Sequence, residues 1–377
     1  MTELFSHIAL QQYWWIIIAT IGSALVFLLF VQGGQTLIYT LGKNEEERDL
    51  IINSIGRKWE FSFTTLVVFG GAFFAAFPLF YSTSFGGAYW AWMILLFTFI
   101  FQAVSYHYRS KPNNFFGSRT YEAFLQVGGY ISTFLLGVIV ATLFTGSPFA
   151  ISDMKEMTWM NSGRGFELLL NPHNLVLGVA ILFLSRVLAI LYIINSVEDE
   201  ELDKKARKRL IIESAVFVVA FLTFVIWLMF IEGYAVNPET GAVFLMKNKY
   251  FINLIEMPIV LIIFIVGLAL VLIGIIRTLI SDSYKGIWWS GFGTFLAAFT
   301  LFMIAGFNNT AFYPSSYDIQ SSLTIQNASS SQYTLMAMFY VSLMIPIVLG
   351  YIWLTWRAIN KHRITTEELN SGETNSY

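Results

Sequence analysis

Four histidines come first, because the iron of a b-type haem takes one or two as axial ligands. His7 and His362 lie in the terminal tails, while His107 and His173 close and open two long apolar runs. The last two are separated by roughly a membrane thickness and cannot share one iron. His7 could meet His173, and His107 could meet His362, but neither pair falls within a bundle of apolar runs. The four therefore read as interfacial or loop histidines, and no haem-binding residue is expected in this chain. Cysteine is absent, which excludes disulfides, thiolate catalysis and cysteine-held clusters or haem. No HExxH, P-loop or dinucleotide glycine pattern occurs in a plausible context. Neither a catalytic residue nor a metal ligand is expected.

Ionisable residues at membrane depth carry more information. Arg186 lies about twelve residues into an apolar run, hence roughly 18 Å deep at 1.5 Å per residue. Insertion scales charge about 2.5–3.5 kcal/mol for such a side chain. It should be a buried intramembrane charge that faces protein and has an acidic or polar partner. Its role is either to fix helix packing or to take part in charge movement. Glu60 starts another run, beside Arg57, Lys58 and Trp59. A carboxylate there can exchange protons with inner water yet point into the bundle, which makes Glu60 a proton-path candidate; the alternative is a structural bridge to Lys58 or Arg57. Glu122, Glu213 and Glu256 lie at run edges and read as hydrated, interfacial carboxylates. The pairs Gly33-Gly34, Gly70-Gly71 and Gly128-Gly129 should allow close helix approach.

Nine long apolar runs must position these residues. They lie near 14–38, 60–81, 86–107, 121–144, 174–197, 211–232, 257–280, 287–307 and 334–357. Each meets the need for about 20 apolar residues to cross a hydrocarbon core. The chain is 56% hydrophobic and 12% charged, about half the charged fraction of soluble domains. The expected fold is an all-α integral membrane bundle of about nine helices. It forms one polytopic domain over 1–377, with residues 359–377 as a cytoplasmic tail. The net charge of −2 gives no reason to invoke nucleic acid. The opening MTELFSHIALQQ lacks a basic n-region, so the first span should be retained.

Charge gives the orientation. With the N-terminus outside, the inner segments hold 17 Lys and Arg and the outer segments 4. This positive-inside bias predicts an outer N-terminus and a cytoplasmic C-terminus. Nine of the eleven tryptophans sit at or near span ends, as in an aromatic belt. EDEELDKKARKR (198–209) reads as a solvated extension of the fifth span, and EEERDLIINSIGRKW (45–59) as an amphipathic helix at the inner surface. The outer segment 310–334 is rich in Ser, Asn and Gln and suited to packing on other protein.

Several blocks together resemble subunit II of cytochrome bd-type quinol oxidases. LGKNEEERDLIINSIGRKWE (41–60) is similar to that family's LGxxxxERxxxxNSIxxxW followed by an acid. GGAFFAAFPLFYSTSF (70–85), YRSK (108–111), LLNP (169–172), PSSYDIQSSLTIQNASSSQYTL (314–335) and RITTEEL (363–369) follow in the family's order and spacing. The resemblance implies nine transmembrane helices beside a pseudo-symmetric subunit I, in a terminal oxidase that takes electrons from quinol and reduces dioxygen to water. It also implies that two b-type haems, one d-type haem and the main quinol site belong to subunit I. This chain would then support the haem-bearing subunit and supply part of the proton or dioxygen route. Membrane lipid and small single-span subunits are further partners it allows, and the location it implies is the bacterial inner membrane.

The chain also departs from the pattern. The family often has DGFDxGxG in span 1, where LLFVQGGQ (28–35) holds no acid. GNxxW after the acid is replaced by Phe61-Ser62-Phe63-Thr64-Thr65, and FR before YRSK is Phe101-Gln102. Of the inner route's usual groups, Glu60 alone carries over cleanly. Two other classes fit the hydropathy: a secondary transporter, which would need a midplane polar site, and a scaffold for another respiratory complex.

Overall fold

The computed structural model describes residues 6–367. Residues 1–5, and the expected tail beyond 367, lie outside the described residues. Within them, eight helices are long and apolar enough to span a membrane, and a bent helix pair makes a ninth. The first span is α1 (His7–Leu28) continued after a break at Leu29 by α2 (Phe30–Gln35). A short turn, α3 (Ile38–Leu41), follows. Next, α4 (Glu45–Gly56) runs with only a slight break into α5 (Trp59–Ala76). Leu50, Ile51, Ile52 and Ile55 of α4 are all buried, so this segment packs into the protein as the foot of the second span.

Proline sets the next boundary. Pro78 opens the turn α6 (Pro78–Tyr81), and the preceding Phe77 takes φ −132°, ψ 65°. A residue before proline is pushed out of the helical region, so α5 stops at Ala76. The third and fourth spans are α7 (Tyr89–Tyr108) and α8 (Ser118–Thr145). The fifth is α9 (Pro172–Ser196), started by Pro172 at its first position and by Asn171, whose side chain accepts from the His173 N–H at 3.0 Å. The sixth is α10 (Glu200–Phe230). The charged run 198–209 therefore begins the sixth span, in contrast to the expected extension of the fifth. Asp199 caps the helix by accepting from Leu202 N at 2.6 Å, and Glu200, Glu201 and Asp203 fill its first turn. Carboxylates belong at helix N-termini, where the dipole is positive.

A short amphipathic helix, α11 (Lys249–Glu256), leads into the seventh and eighth spans, α12 (Pro258–Ile280) and α13 (Gly286–Gly306). A one-turn helix, α14 (Ile325–Ala328), precedes the last pair, α15 (Gln332–Ser342) and α16 (Ile345–Ile359). These two are bent by 42°, with Pro346 in the first turn of α16. A proline there removes an intrahelical donor and favours a new helix start.

The spans divide into a core and a periphery. α9 is the core helix: most of its residues are buried, and it packs on α2, α8 and α10. α12 packs chiefly on α13, and α13 on α1. α16 has no buried residue. Gly33 shows how close the core packing is. A Cβ there would lie 2.1 Å from the Ser185 carbonyl of α9, whereas one on Gly71 would meet nothing within 4 Å.

Two small hairpins lie at one end. β1 (Phe149–Ile151) pairs with β2 (Met157–Trp159), and β3 (Glu232–Val236) with β4 (Val243–Lys247). The segment 310–334 is stitched to that end of the chain itself. Ser147 bridges Ser315, Ala235 bridges Thr310, and Ser330 donates from N to the Ala76 carbonyl at 2.8 Å and from Oγ to the Ala75 carbonyl at 2.6 Å. The basic segments gather at the opposite end.

Candidate functional site

Helix C-termini draw the basic residues to that second end. Arg207 donates to the Thr278 carbonyl near the end of α12. Arg363 donates to the carbonyls of Ile194 and Val197 at the end of α9. Cations are favoured where the last carbonyls of a helix lack partners. The same end holds three ionic groupings, two of them buried.

The first is built on Arg186, which is 3% exposed. Its guanidinium forms a fork with Glu213 of α10, Nε to Oε2 at 2.8 Å and Nη2 to Oε1 at 2.6 Å. Nη1 donates to Thr36 Oγ1 at 2.7 Å and to the Tyr130 phenol at 3.0 Å. Thr36 follows α2, so the positive charge also sits at the C-terminal end of the first span. Arg209 donates to Glu213 at 2.5 Å from one turn earlier. Bidentate, charge-assisted bonds of this kind are the strong ones, and they join spans 1, 4, 5 and 6. Glu213 is 0% exposed, not at a hydrated edge. Its partner Arg186 lies 27 residues away on another helix, which is why its own surroundings in sequence gave no sign of burial.

The second cluster surrounds Glu122, likewise buried instead of interfacial. Glu122 accepts from Arg48 Nε at 3.1 Å and from Arg109 Nη2 at 2.7 Å, and Arg109 also pairs with Asp49. Burial alone would push the Arg109 guanidinium down, but Asp49 and Glu122 hold it above its ordinary value. The third is an ion pair between Glu47 of α4 and Lys205 of α10 at 2.6 Å. Glu256 is exposed and accepts from Asn308 at 2.6 Å.

Between these clusters lies a neutral one. Gln32 Nε2 donates to Ser62 Oγ and to Gln102 Oε1, both at 2.7 Å. Gln35 Nε2 donates to the same Gln102 oxygen at 2.7 Å and to the Tyr106 phenol at 3.2 Å. Gln32, Ser62 and Gln102 are thus brought together from the three stretches where this chain departs from the family's pattern. Gln102 stands where the resemblance would put an arginine. The signal in the sequence was the amide pair at 32 and 35, three residues apart on one helix face within an apolar run.

Glu60 lies apart from all of these. Its side chain is exposed on the outer face of α5, in a stripe with Thr64, Val67, Val68 and Phe74. Among the described residues it has no ion pair, and it points out of the bundle, not into it. Lys58 does not pair with it. That ammonium is 0% exposed and lies 4.4 Å over the Trp356 ring.

The histidines have separate surroundings. His7 contacts the Ser330 carbonyl at 3.1 Å and Gln11 at 3.4 Å. His173 is packed against Phe224 and Trp227, while His107 and His362 are exposed. An apolar cavity of about 80 Å³ lies within the bundle, walled by residues such as Leu25, Phe73, Leu136, Leu177, Phe221 and Leu301. No histidine or methionine lines it, so its walls offer a haem iron no axial ligand. Among the described residues no group of three or more His, Asp or Glu could hold a metal ion.

The residues of the PSS–SLT segment are structural. Ser315 N donates to Ser322 Oγ at 2.9 Å. Thr324 and Asn327 form a reciprocal capping box on α14, and Ser329 accepts from Gln11 at 2.6 Å. This block fastens the hairpin end of the bundle to span 1.

Comparisons with known proteins agree with this geometry. The family model for cytochrome bd terminal oxidase subunit II matches residues 10–359. The chain is 29% identical to cytochrome bd-I ubiquinol oxidase subunit 2 of Escherichia coli K12, over 99% of this chain and 100% of that one. It is 29% identical to a probable cytochrome oxidase subunit 2 of Haemophilus influenzae, over 91% and 93%. It is 27% identical to cytochrome bd ubiquinol oxidase subunit 2 of Bacillus subtilis, over 92% and 94%. The fold is similar to that of a chain in the bd oxidase of Geobacillus thermodenitrificans, with a TM-score of 0.58 at 12% identity, covering 93% of this chain and 96% of that one. With its spans, its stitched hairpin end and a family match over nearly its whole length, this multi-pass membrane chain belongs to the cytochrome bd terminal oxidase subunit II family.

Proposed function

We propose that this chain is the supporting subunit of a bd-type quinol oxidase in the bacterial inner membrane. It would pair with a haem-bearing subunit I that oxidises quinol and reduces dioxygen to water. The observation that carries this reading is the family match over residues 10–359. The exposed faces of α5, α7 and α16 supply a surface for such a partner. Val67, Val68, Phe74, Leu96, Phe97 and Ile100 all lie uncovered. On this reading the two b-type haems, the d-type haem and the quinol site are on subunit I. The N-terminus is outside, and the basic end is cytoplasmic.

The ionic clusters at the basic end hold the helices in register. Glu60 then serves proton uptake from the outer face of α5, along the boundary with subunit I. The apolar cavity suits dioxygen, which partitions into apolar surroundings, better than it suits a polar solute. This weighs against the transporter reading, which needs a midplane polar site.

Deleting the chain tests the first claim. The haem signals of assembled oxidase and quinol-dependent oxygen uptake should disappear from the membranes and return on complementation; unchanged signals and uptake would overturn it. Glu60→Gln tests the second, because it keeps shape and hydrogen bonding but removes the titratable proton. A relay predicts normal haem content with slowed oxygen consumption, and unchanged turnover rejects it.

A further inference from the structure

At the basic end, α1, α13 and α16 enclose a groove of about 500 Å³. Its walls are apolar and aromatic: Phe27, Trp288, Leu349, Ile352 and Trp353. Trp356, Arg357 and Asn360 close one end. This end is rich in donors, and the one side-chain acceptor there, Asn360 Oδ1, faces the Tyr192 hydroxyl at 3.4 Å. Trp356 Nε1 and Asn360 Nδ2 are buried without a hydrogen-bond partner. Arg357 is exposed, makes no ion pair among the described residues, and lies 5.5 Å from the Trp353 ring centre. Behind Trp356 lies the Lys58 ammonium, fully buried and also without an acceptor. No carboxylate lines the groove.

Buried donors left unpaired are costly, so each needs an account. Here Trp356 Nε1 and Asn360 Nδ2, with the exposed Arg357 guanidinium beside them, call for the same thing: an anionic, acceptor-rich group at the end of an apolar slot. Arg357 and Asn360 are three residues apart at the end of α16, so they lie on one face. Positively charged and indole side chains at this level of a span are suited to the headgroup layer. A free anion would leave the apolar walls unused, and a neutral apolar guest would leave the donors unpaired.

We propose that this groove holds one anionic phospholipid. Its phosphate oxygens accept from Arg357, Asn360 Nδ2 and Trp356 Nε1, and its acyl chains lie between α13 and α16. Lys58 makes no contact with it and packs against the Trp356 ring, 4.4 Å from its centre. The lipid would fasten α16, which buries no residue of its own, to the rest of the bundle.

The test is native mass spectrometry of the intact assembly that a tag on this chain purifies. It reads lipid binding whether or not that assembly proves to be an oxidase. Wild type should retain at least one phosphatidylglycerol through detergent washing. Arg357→Gln combined with Asn360→Leu should lower that occupancy about tenfold. After delipidation, adding back palmitoyl-oleoyl-phosphatidylglycerol should raise the melting temperature of wild type but not of the double variant, with phosphatidylcholine less effective. The melting curve without lipid shows that the variant is folded. Equal occupancy in wild type and variant would overturn the proposal. So would a retained quinone in place of phospholipid, or stabilisation by inorganic phosphate alone.

Discussion

Replacing Glu213 with alanine removes the carboxylate that faces Arg186 and leaves a guanidinium in the core of the bundle. Removing one partner of a buried pair typically costs about 3–5 kcal/mol, because the remaining charge stays desolvated. Thr36 and Tyr130 still bond to Arg186, which places the expected loss near the lower end, about 3 kcal/mol. That corresponds to roughly two powers of ten in the folding equilibrium. Arg209 also loses its partner, but its side chain is 36% exposed, so it turns to water at little cost. The double replacement Arg186→Leu with Glu213→Leu removes both charges, and exchanging a buried pair for apolar groups is often near neutral. Denaturing-detergent titration of the purified assembly should therefore show a large loss for Glu213→Ala and recovery of most of it in the double variant. A single variant that loses less than about 1 kcal/mol, or a double variant as weak as the single, would refute the assignment of this pair as the central fastening.

Other substitutions give contrasting outcomes. Gly33→Ala should prevent α2 from seating on α9 and abolish stable assembly, judged by yield after solubilisation, whereas Gly71→Ala should leave yield unchanged. Gln102→Arg should destabilise by placing an unpaired charge among amides. Adding Gln32→Glu, 2.7 Å away, should restore a melting temperature close to wild type. Asn171→Ala removes the side-chain cap of α9 and should cost about 1 kcal/mol in the same detergent titration.

The spans and their charge asymmetry were legible because a membrane helix is a local property: about twenty apolar residues in a row. Arg186 stood out for the same reason. What the sequence hid was set by tertiary structure. Glu213 and Glu122 looked like edge carboxylates because their arginine partners come from other elements. The run 198–209 was assigned to the wrong helix, although Asp199 followed by three acids is a helix-start signal. The break at Phe77 was announced by Pro78. The turn between α15 and α16 had a proline of its own, but a single proline does not say how far a span bends. Glu60 lies in the first turn of α5, yet which way it faces depends on how α5 is rotated against α1, and hydropathy does not fix that rotation.

The central claim is that this chain works as one half of a haem-bearing quinol oxidase without holding the haems. It is tested most directly by tagging the chain, purifying it from its native membranes and recording the visible spectrum with quinol-dependent oxygen consumption on the same sample. The account predicts a second large polytopic chain, b- and d-type haem absorbance, and oxygen uptake on adding quinol, with no haem absorbance when this chain is expressed alone. A colourless preparation with no such partner, or stoichiometric haem on the chain alone, would contradict it.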